Sequence, residues 1–129
     1  MKNGLIVDAD GNKCWYLNDK LHREDGPATE RASGTKSWWF NGKLHREDGP
    51  AIEWADGDKW WYLNNKRHRE DGPAIEWANG SKECYLNGKE YSEEEYEVEI
   101  QKRKGKRIKK EERFKEIPKF NYKLESLKL

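Results

Sequence analysis

With 129 residues and a mass of 15.4 kDa, the chain has room for one small domain and not for two full-sized ones. Charged residues make up 40% and hydrophobic ones 33%, yet the net charge is only +1 and the chain carries 7 Trp, 6 Tyr and 3 Phe. That balance excludes a deep aliphatic core and a strongly charged disordered chain, and it leaves a shallow aromatic core. No apolar run approaches the length of a membrane span, the start Met-Lys-Asn-Gly-Leu-Ile-Val-Asp does not read as a signal peptide, and two cysteines make no disulfide framework. The expectation is a soluble, cytoplasmic protein of a reducing compartment.

A 23-residue period organises residues 1–91. Leu21-His22-Arg23-Glu24-Asp25-Gly26-Pro27-Ala28 returns as Leu44–Ala51 and, with Arg67 in place of Leu, as Arg67–Ala74. Gly11, Gly34, Gly57 and Gly80 share one phase, and Asn18, Asn41, Asn64 and Asn87 another. Four aromatic strand units and three His-Arg-Glu-Asp-Gly-Pro links result, a pattern of stacked units rather than long-range topology. Within a unit, Ala51-Ile52-Glu53-Trp54-Ala55 ends in Asp56-Gly57, and Asp58–Leu63 ends in Asn64-Asn65. These dipeptides suit tight hairpin turns, so two strands per unit are expected, with the Gly-Pro of each link breaking the ladder. A two-residue turn at Asp56-Gly57 pairs Glu53 with Trp60 and Ile52 with Trp61. It sets Ile52, Trp54, Lys59, Trp61 and Leu63 on one face, and Ala51, Glu53, Ala55, Trp60 and Tyr62 on the other.

The period, the aromatic strands, the Asn-Gly-Lys before a His and the Ala-Asp-Gly before the next strand together resemble the MORN repeat family, over about residues 4–91. Arg-Glu-Asp-Gly-Pro-Ala stands where the usual unit has a Gly soon after the His. In this the chain is similar to the His-Arg-Glu-Asp-Gly-Pro-Ala repeat proteins often encoded by bacteriophages. The resemblance implies a mostly β, elongated antiparallel β-hairpin array of about eight strands, used in protein association. If the chain is phage-encoded, the partner implied is a host or defence protein met in the host cytoplasm. Lipid binding does not carry over, because residues 1–91 hold 14 Lys/Arg against 16 Asp/Glu.

Residues 92–129 are a different material. Ser92 with Glu95 reads as a capping box, and Tyr96 with Ile100 as a narrow apolar stripe laid over the last repeat. A helix capping the open sheet edge is expected. Residues 102–115 hold 9 Lys/Arg and 2 Glu, interrupted by Gly105. Pro118 ends any helix, and the residues beyond it are expected to be loose or partner-dependent.

Equivalent side chains in such a stack lie about 10 Å apart, too far for His22, His45 and His68 to share one metal. They are read as satisfying backbone groups at the bend. The same spacing puts Cys14 and Cys84 ~29 Å apart, so both are expected to be free thiols. Each Arg-Glu-Asp has two readings. Structurally, Asp caps the turn while Arg and Glu pair with neighbouring units; functionally, Arg23, Arg46 and Arg69 grip phosphates or acidic side chains. Copies of one motif do not converge on a reacting atom, so neither an enzyme nor a cofactor is expected.

Positions that change between units carry more information. Asp8, Arg31, Trp54 and Trp77 share a phase, as do Cys14, Ser37, Trp60 and Glu83. Trp54, Trp60 and Trp77 therefore exceed what the unit itself requires. Tyr16, Trp39, Tyr62 and Tyr85 form an aromatic column, read either as cross-strand packing or as an exposed patch that meets a partner. Three functions follow from these residues: a protein-binding module acting through the aromatic surface; a nucleotide or signal-molecule sponge in which the column stacks bases while the three arginines hold phosphates; and RNA or DNA binding through residues 102–115.

Overall fold

The computed structural model describes the backbone of residues 1–116 and the side chains of residues 1–106. It divides into two units, the first Met1–Glu93 and the second beginning at Glu94. The first is built of short antiparallel strands: β1 (Gly4–Val7), β2 (Lys13–Leu17), β3 (Lys20–Leu21), β4 (Thr29–Glu30), β5 (Lys36–Ser37), β6 (Trp39–Phe40), β7 (Lys43–Leu44), β8 (Ile52–Glu53), β9 (Lys59–Trp60), β10 (Tyr62–Leu63), β11 (Lys66–Arg67), β12 (Ile75–Glu76), β13 (Lys82–Leu86) and β14 (Lys89–Tyr91). The main sheet runs β1-β2-β4-β5-β8-β9-β12-β13-β14 with β3 beside β2, and β6-β7 and β10-β11 form separate pairs.

Two kinds of turn alternate. At Asn41-Gly42 both residues have positive φ, 50° and 80°, and Phe40 pairs with Lys43 across them: the expected two-residue hairpin. The turn after β8 is different. Gly57 N–H bonds the Trp54 carbonyl (3.0 Å), Trp54 N–H bonds the Asp58 carbonyl (2.9 Å), and only Gly57 has positive φ. The loop is therefore three residues long, a type I turn closed by a left-handed glycine. Its register is Ile52↔Trp60 and Glu53↔Lys59, which corrects the pairing of Glu53 with Trp60 and of Ile52 with Trp61. The one-residue shift moves Trp60 onto the face of Ile52 and Trp54, and Lys59 onto the face of Glu53.

Each link is an excursion from a strand rather than its end. Trp61 N–H bonds the Ala74 carbonyl (2.7 Å) while its own carbonyl accepts the His68 N–H (3.2 Å), so the two ends of the link close on one residue. Trp38 does the same with Ala51 and His45, and Trp15 with Ala28 and His22. Inside the loop the Arg46 guanidinium lies 3.8 Å from the Trp38 ring centroid. It donates to Asp48 (3.1 Å), to the Pro50 carbonyl (3.1 Å) and to Glu53 (3.1 Å). Arg23 on Trp15 and Arg69 on Trp61 repeat the arrangement. A planar, permanently charged group that both stacks and donates in several directions suits this position, which explains arginine. The fourth unit has no such link, and Cys84 stands there in the tryptophan phase.

The histidines join neighbouring units. His22, His45 and His68 each accept, at Nδ1, the backbone N–H of the next turn's asparagine (2.9, 3.1 and 2.9 Å). Nε2 faces Glu24, Glu47 or Glu70 of the same link. Nδ1 as acceptor fixes the tautomer with the proton on Nε2. Each link glutamate thus meets its own histidine, each link arginine pairs, as expected, with a glutamate of the next unit, and each link aspartate accepts from the arginine Nε.

Helix α1 (Glu93–Glu116) follows Ser92 and passes through Gly105 without a break. Tyr96 and Ile100, one turn apart, are both buried. The expectations for Pro118 and the last residues lie outside the described residues. No described helix is long and apolar enough to cross a membrane.

A Cβ added at Gly49 would sit 2.9 Å from Arg46 Cζ, so Gly49→Ala must shift the guanidinium from its place over Trp38. The expected loss is about 1 kcal/mol, a weakened stack and strained charged hydrogen bonds, read from the urea midpoint. At Gly105 no atom lies within 4 Å, and Gly105→Ala is expected to raise helix stability by ~0.5–1 kcal/mol.

Candidate functional site

Because Trp60 shares a face with Ile52 and Trp54, the residues that vary between units collect on one side of the sheet. Trp60 is the centre. Its ring lies 5.1 Å from Trp54 and 5.7 Å from Trp77, both edge-on, the arrangement that the ring quadrupoles favour. Beneath them Ile75 is 1% exposed and Tyr85 is buried, with Trp60 and Trp77 packed on this core. Trp54 remains 37% exposed at the rim. Trp60 Nε1 is buried and has no hydrogen-bond partner among the described residues, a cost of about 1–3 kcal/mol.

Arg67, which the sequence reading did not single out, completes the cluster. Leu21 and Leu44 occupy its phase in the earlier units, opposite Tyr16 and Trp39, and Arg67 lies opposite Tyr62. Its guanidinium donates to the hydroxyls of Tyr62 (3.2 Å) and Tyr85 (3.1 Å), and it sits over the rings of Trp60 and Tyr85. The Tyr62 hydrogen bond holds this guanidinium protonated still more firmly than usual. The Tyr85 hydroxyl donates a hydrogen bond to Glu83 Oε1 (3.2 Å), whose other oxygen accepts the Trp77 indole N–H (2.8 Å). A hydrogen-bond chain Arg67–Tyr85–Glu83–Trp77 thus laces the aromatic rings together. The signal that finds Arg67 is the one that found Trp54: a departure from the repeated residue.

The remaining predicted residues divide between the faces. Tyr16 lies under the Lys2 ammonium, and Trp39 donates its indole N–H to Ser37 (2.7 Å), which also bonds Thr29. Tyr16 and Trp15 are consecutive in β2, so the column and the link tryptophans face opposite ways. Arg23, Arg46 and Arg69 stack on those link tryptophans. They line two open grooves between successive links, of about 560 and 670 Å³, with Trp61 and Leu63 or Trp38 and Phe40 beside them and Glu47, Asp48, Glu70 and Asp71 among the other lining residues. Of the column, Trp39 lines the second groove beside Arg23 and Arg46, and Tyr16, Tyr62 and Tyr85 line neither. The structure therefore brings one column residue to two of the arginines and leaves the three tyrosines apart from them.

Neither Cys14 nor Cys84 is in a disulfide. Among the described residues no group of three His, Cys, Asp or Glu is placed to hold a metal. No family model, curated protein or solved structure matches the chain.

Burial pushes the Tyr85 phenol above the ordinary tyrosine value of 10.0, and the Arg67 hydrogen bond opposes the shift. A raised folded-state value gives stability that is complete below the ordinary value and is lost as pH rises through the raised one. Phenolate absorbance should therefore show a late-titrating tyrosine that disappears in Tyr85→Phe and moves still higher in Arg67→Leu, where burial acts unopposed. An unchanged titration in both variants contradicts the arrangement.

Proposed function

We propose that this chain is a non-enzymatic, MORN-type hairpin repeat module that binds a protein through the face carrying Trp54, Trp60, Trp77, Tyr62, Tyr85 and Arg67. The observation that carries the reading is the separation of residues. What repeats unchanged, the Arg-on-Trp links and their histidines, is consumed in holding the units. What varies, Trp54, Trp60, Trp77 and Arg67, gathers on the other face around the recurring Tyr62 and Tyr85 into one Trp/Tyr/Arg cluster. Those three residue types dominate binding hot spots. Ser37 fills the place of Trp60 in another unit, so the unit does not require the unsatisfied indole. A rim tryptophan beside half-buried neighbours also matches the centre-and-rim pattern of an interface.

The similarity of the links to phage-encoded repeat proteins makes a host-cell protein the proposed kind of partner. The nucleotide-sponge reading needs arginines and column in one groove; Trp39 alone of the column lines a groove with Arg23 and Arg46, and the absence of Tyr16, Tyr62 and Tyr85 from either groove weighs against it. Most of the basic segment 102–115 lies outside the described side chains.

The test compares captures by the full chain and by a Trp54→Arg, Trp60→Ser double variant, which uses residues that unit 2 carries at those places. The expected result is one protein recovered at near-equal stoichiometry by the parent and lost by the variant, with both folded by circular dichroism. Equal recovery by both removes the aromatic face from the account.

A further inference from the structure

In units 2, 3 and 4 the first strand has a neighbour on each side: β4 lies between β2 and β5, β8 between β5 and β9, and β12 between β9 and β13. Among the described residues β1 pairs with β2 alone. Its equivalents also reach back to the preceding unit through the backbone. The carbonyls of Ala28, Ala51 and Ala74 accept from Trp15, Trp38 and Trp61. The amides of Ala32, Ala55 and Ala78 donate to side-chain oxygens of Asn12, Thr35 and Asp58. In the phase of those alanine carbonyls β1 presents Leu5.

Asp8 N–H bonds the Asn12 carbonyl. Alternation along an antiparallel ladder then turns Gly4 and Ile6 toward β2, and Leu5 and Val7 toward the open edge. Residues 2 and 3 do not fold over this edge, because they are held at the other side. Lys2 accepts the Asp19 N–H (3.0 Å), and the Asn3 side chain accepts the Asn18 N–H (2.8 Å). Lys2 thereby takes the part that Leu21, Leu44 and Arg67 play for Gly42, Asn65 and Gly88, with no link between it and β1. The result is an uninterrupted edge, Gly-Leu-Ile-Val, with Leu5 49%, Ile6 41% and Val7 52% exposed. It has none of the lysine, proline or bulge devices that usually blunt an edge.

We infer that β1 is a self-association edge on which a second copy of this chain adds its own β1, antiparallel about a twofold axis at Ile6. The inference is independent of the proposed function and uses a different part of the sheet. An outward Leu5 on one copy exchanges both backbone bonds with an outward Val7 on the other, twice over, and the two Ile6 side chains meet at the axis. The segment carries no charge, so identical copies do not repel there. A second copy supplies the same element, an antiparallel strand, that flanks the corresponding strand in every later unit. Four-residue edges bury less than the ~1,200 Å² of a standard interface, so association is expected at micromolar concentration.

The test is light scattering of the full chain over a dilution series reaching roughly 100 µM, with hydrogen exchange at both ends of the series. The expected mass rises from 15.4 kDa toward twice that value, with slower exchange at the Leu5 and Val7 amides when concentrated. Ile6→Lys, which opposes two like charges across the axis, is expected to hold the mass at the monomer value. A parent that stays monomeric, or a dimer whose Leu5 and Val7 amides gain no protection, overturns the inference. So does a dimer that a folded Ile6→Lys variant leaves unweakened. If Ile6→Lys fails to fold, the exchange data on the parent decide.

Discussion

The fold of the first unit rests on an arginine held over a tryptophan ring. Each link contains two acidic residues, a glycine and a proline, and so has almost nothing apolar with which to hold a shape. Arg46 supplies what is missing. It lies over Trp38, binds Asp48 and the Pro50 carbonyl, and reaches Glu53 on the next strand. The glycine follows from this geometry, since the guanidinium occupies the space a Cβ would need. Tryptophan, arginine, aspartate and glycine are thus one structural element spread over a dozen residues. Cys84 in the tryptophan phase of the unit without a link fits the same dependence.

Because that element and the histidine bonds commit one face, the other is free to change without loss of the fold. Positions 37, 60 and 83 hold Ser, Trp and Glu in one phase, and each makes a different local arrangement. Ser37 satisfies Thr29 and the Trp39 indole. Trp60 stacks with its neighbours. Glu83 ties Trp77 to Tyr85. Variation at constant backbone is what a recognition surface on a repeated scaffold requires.

Much of this was legible in the residues. The period, the aromatic strands and the Asn-Gly hairpins follow from turn chemistry that acts over four residues. The register did not, because Asp-Gly serves both two-residue and three-residue loops, and the choice depends on whether aspartate also turns left-handed. Asp56 does not, so Ala55 joins the loop and the face of every following side chain shifts by one. That slip alone had separated Trp54 from Trp60. That the link arginine pairs with a neighbouring unit was expected, but which residue it meets was not legible. Its partners Glu30, Glu53 and Glu76 lie seven residues beyond the arginine, a distance no local rule addresses. Arg67 stands inside an otherwise unchanged block, and its meaning appears only where Tyr62 and Tyr85 meet it.

The most direct test of the account is a double-mutant cycle on Arg46→Ala and Trp38→Ala, measured by urea unfolding. If the stacked pair holds the link, the two losses are coupled, and the double variant is more stable than their sum predicts by about 1 kcal/mol or more. Additive losses, with a coupling near zero, would mean that the link keeps its shape without the stack and would contradict the account at its base.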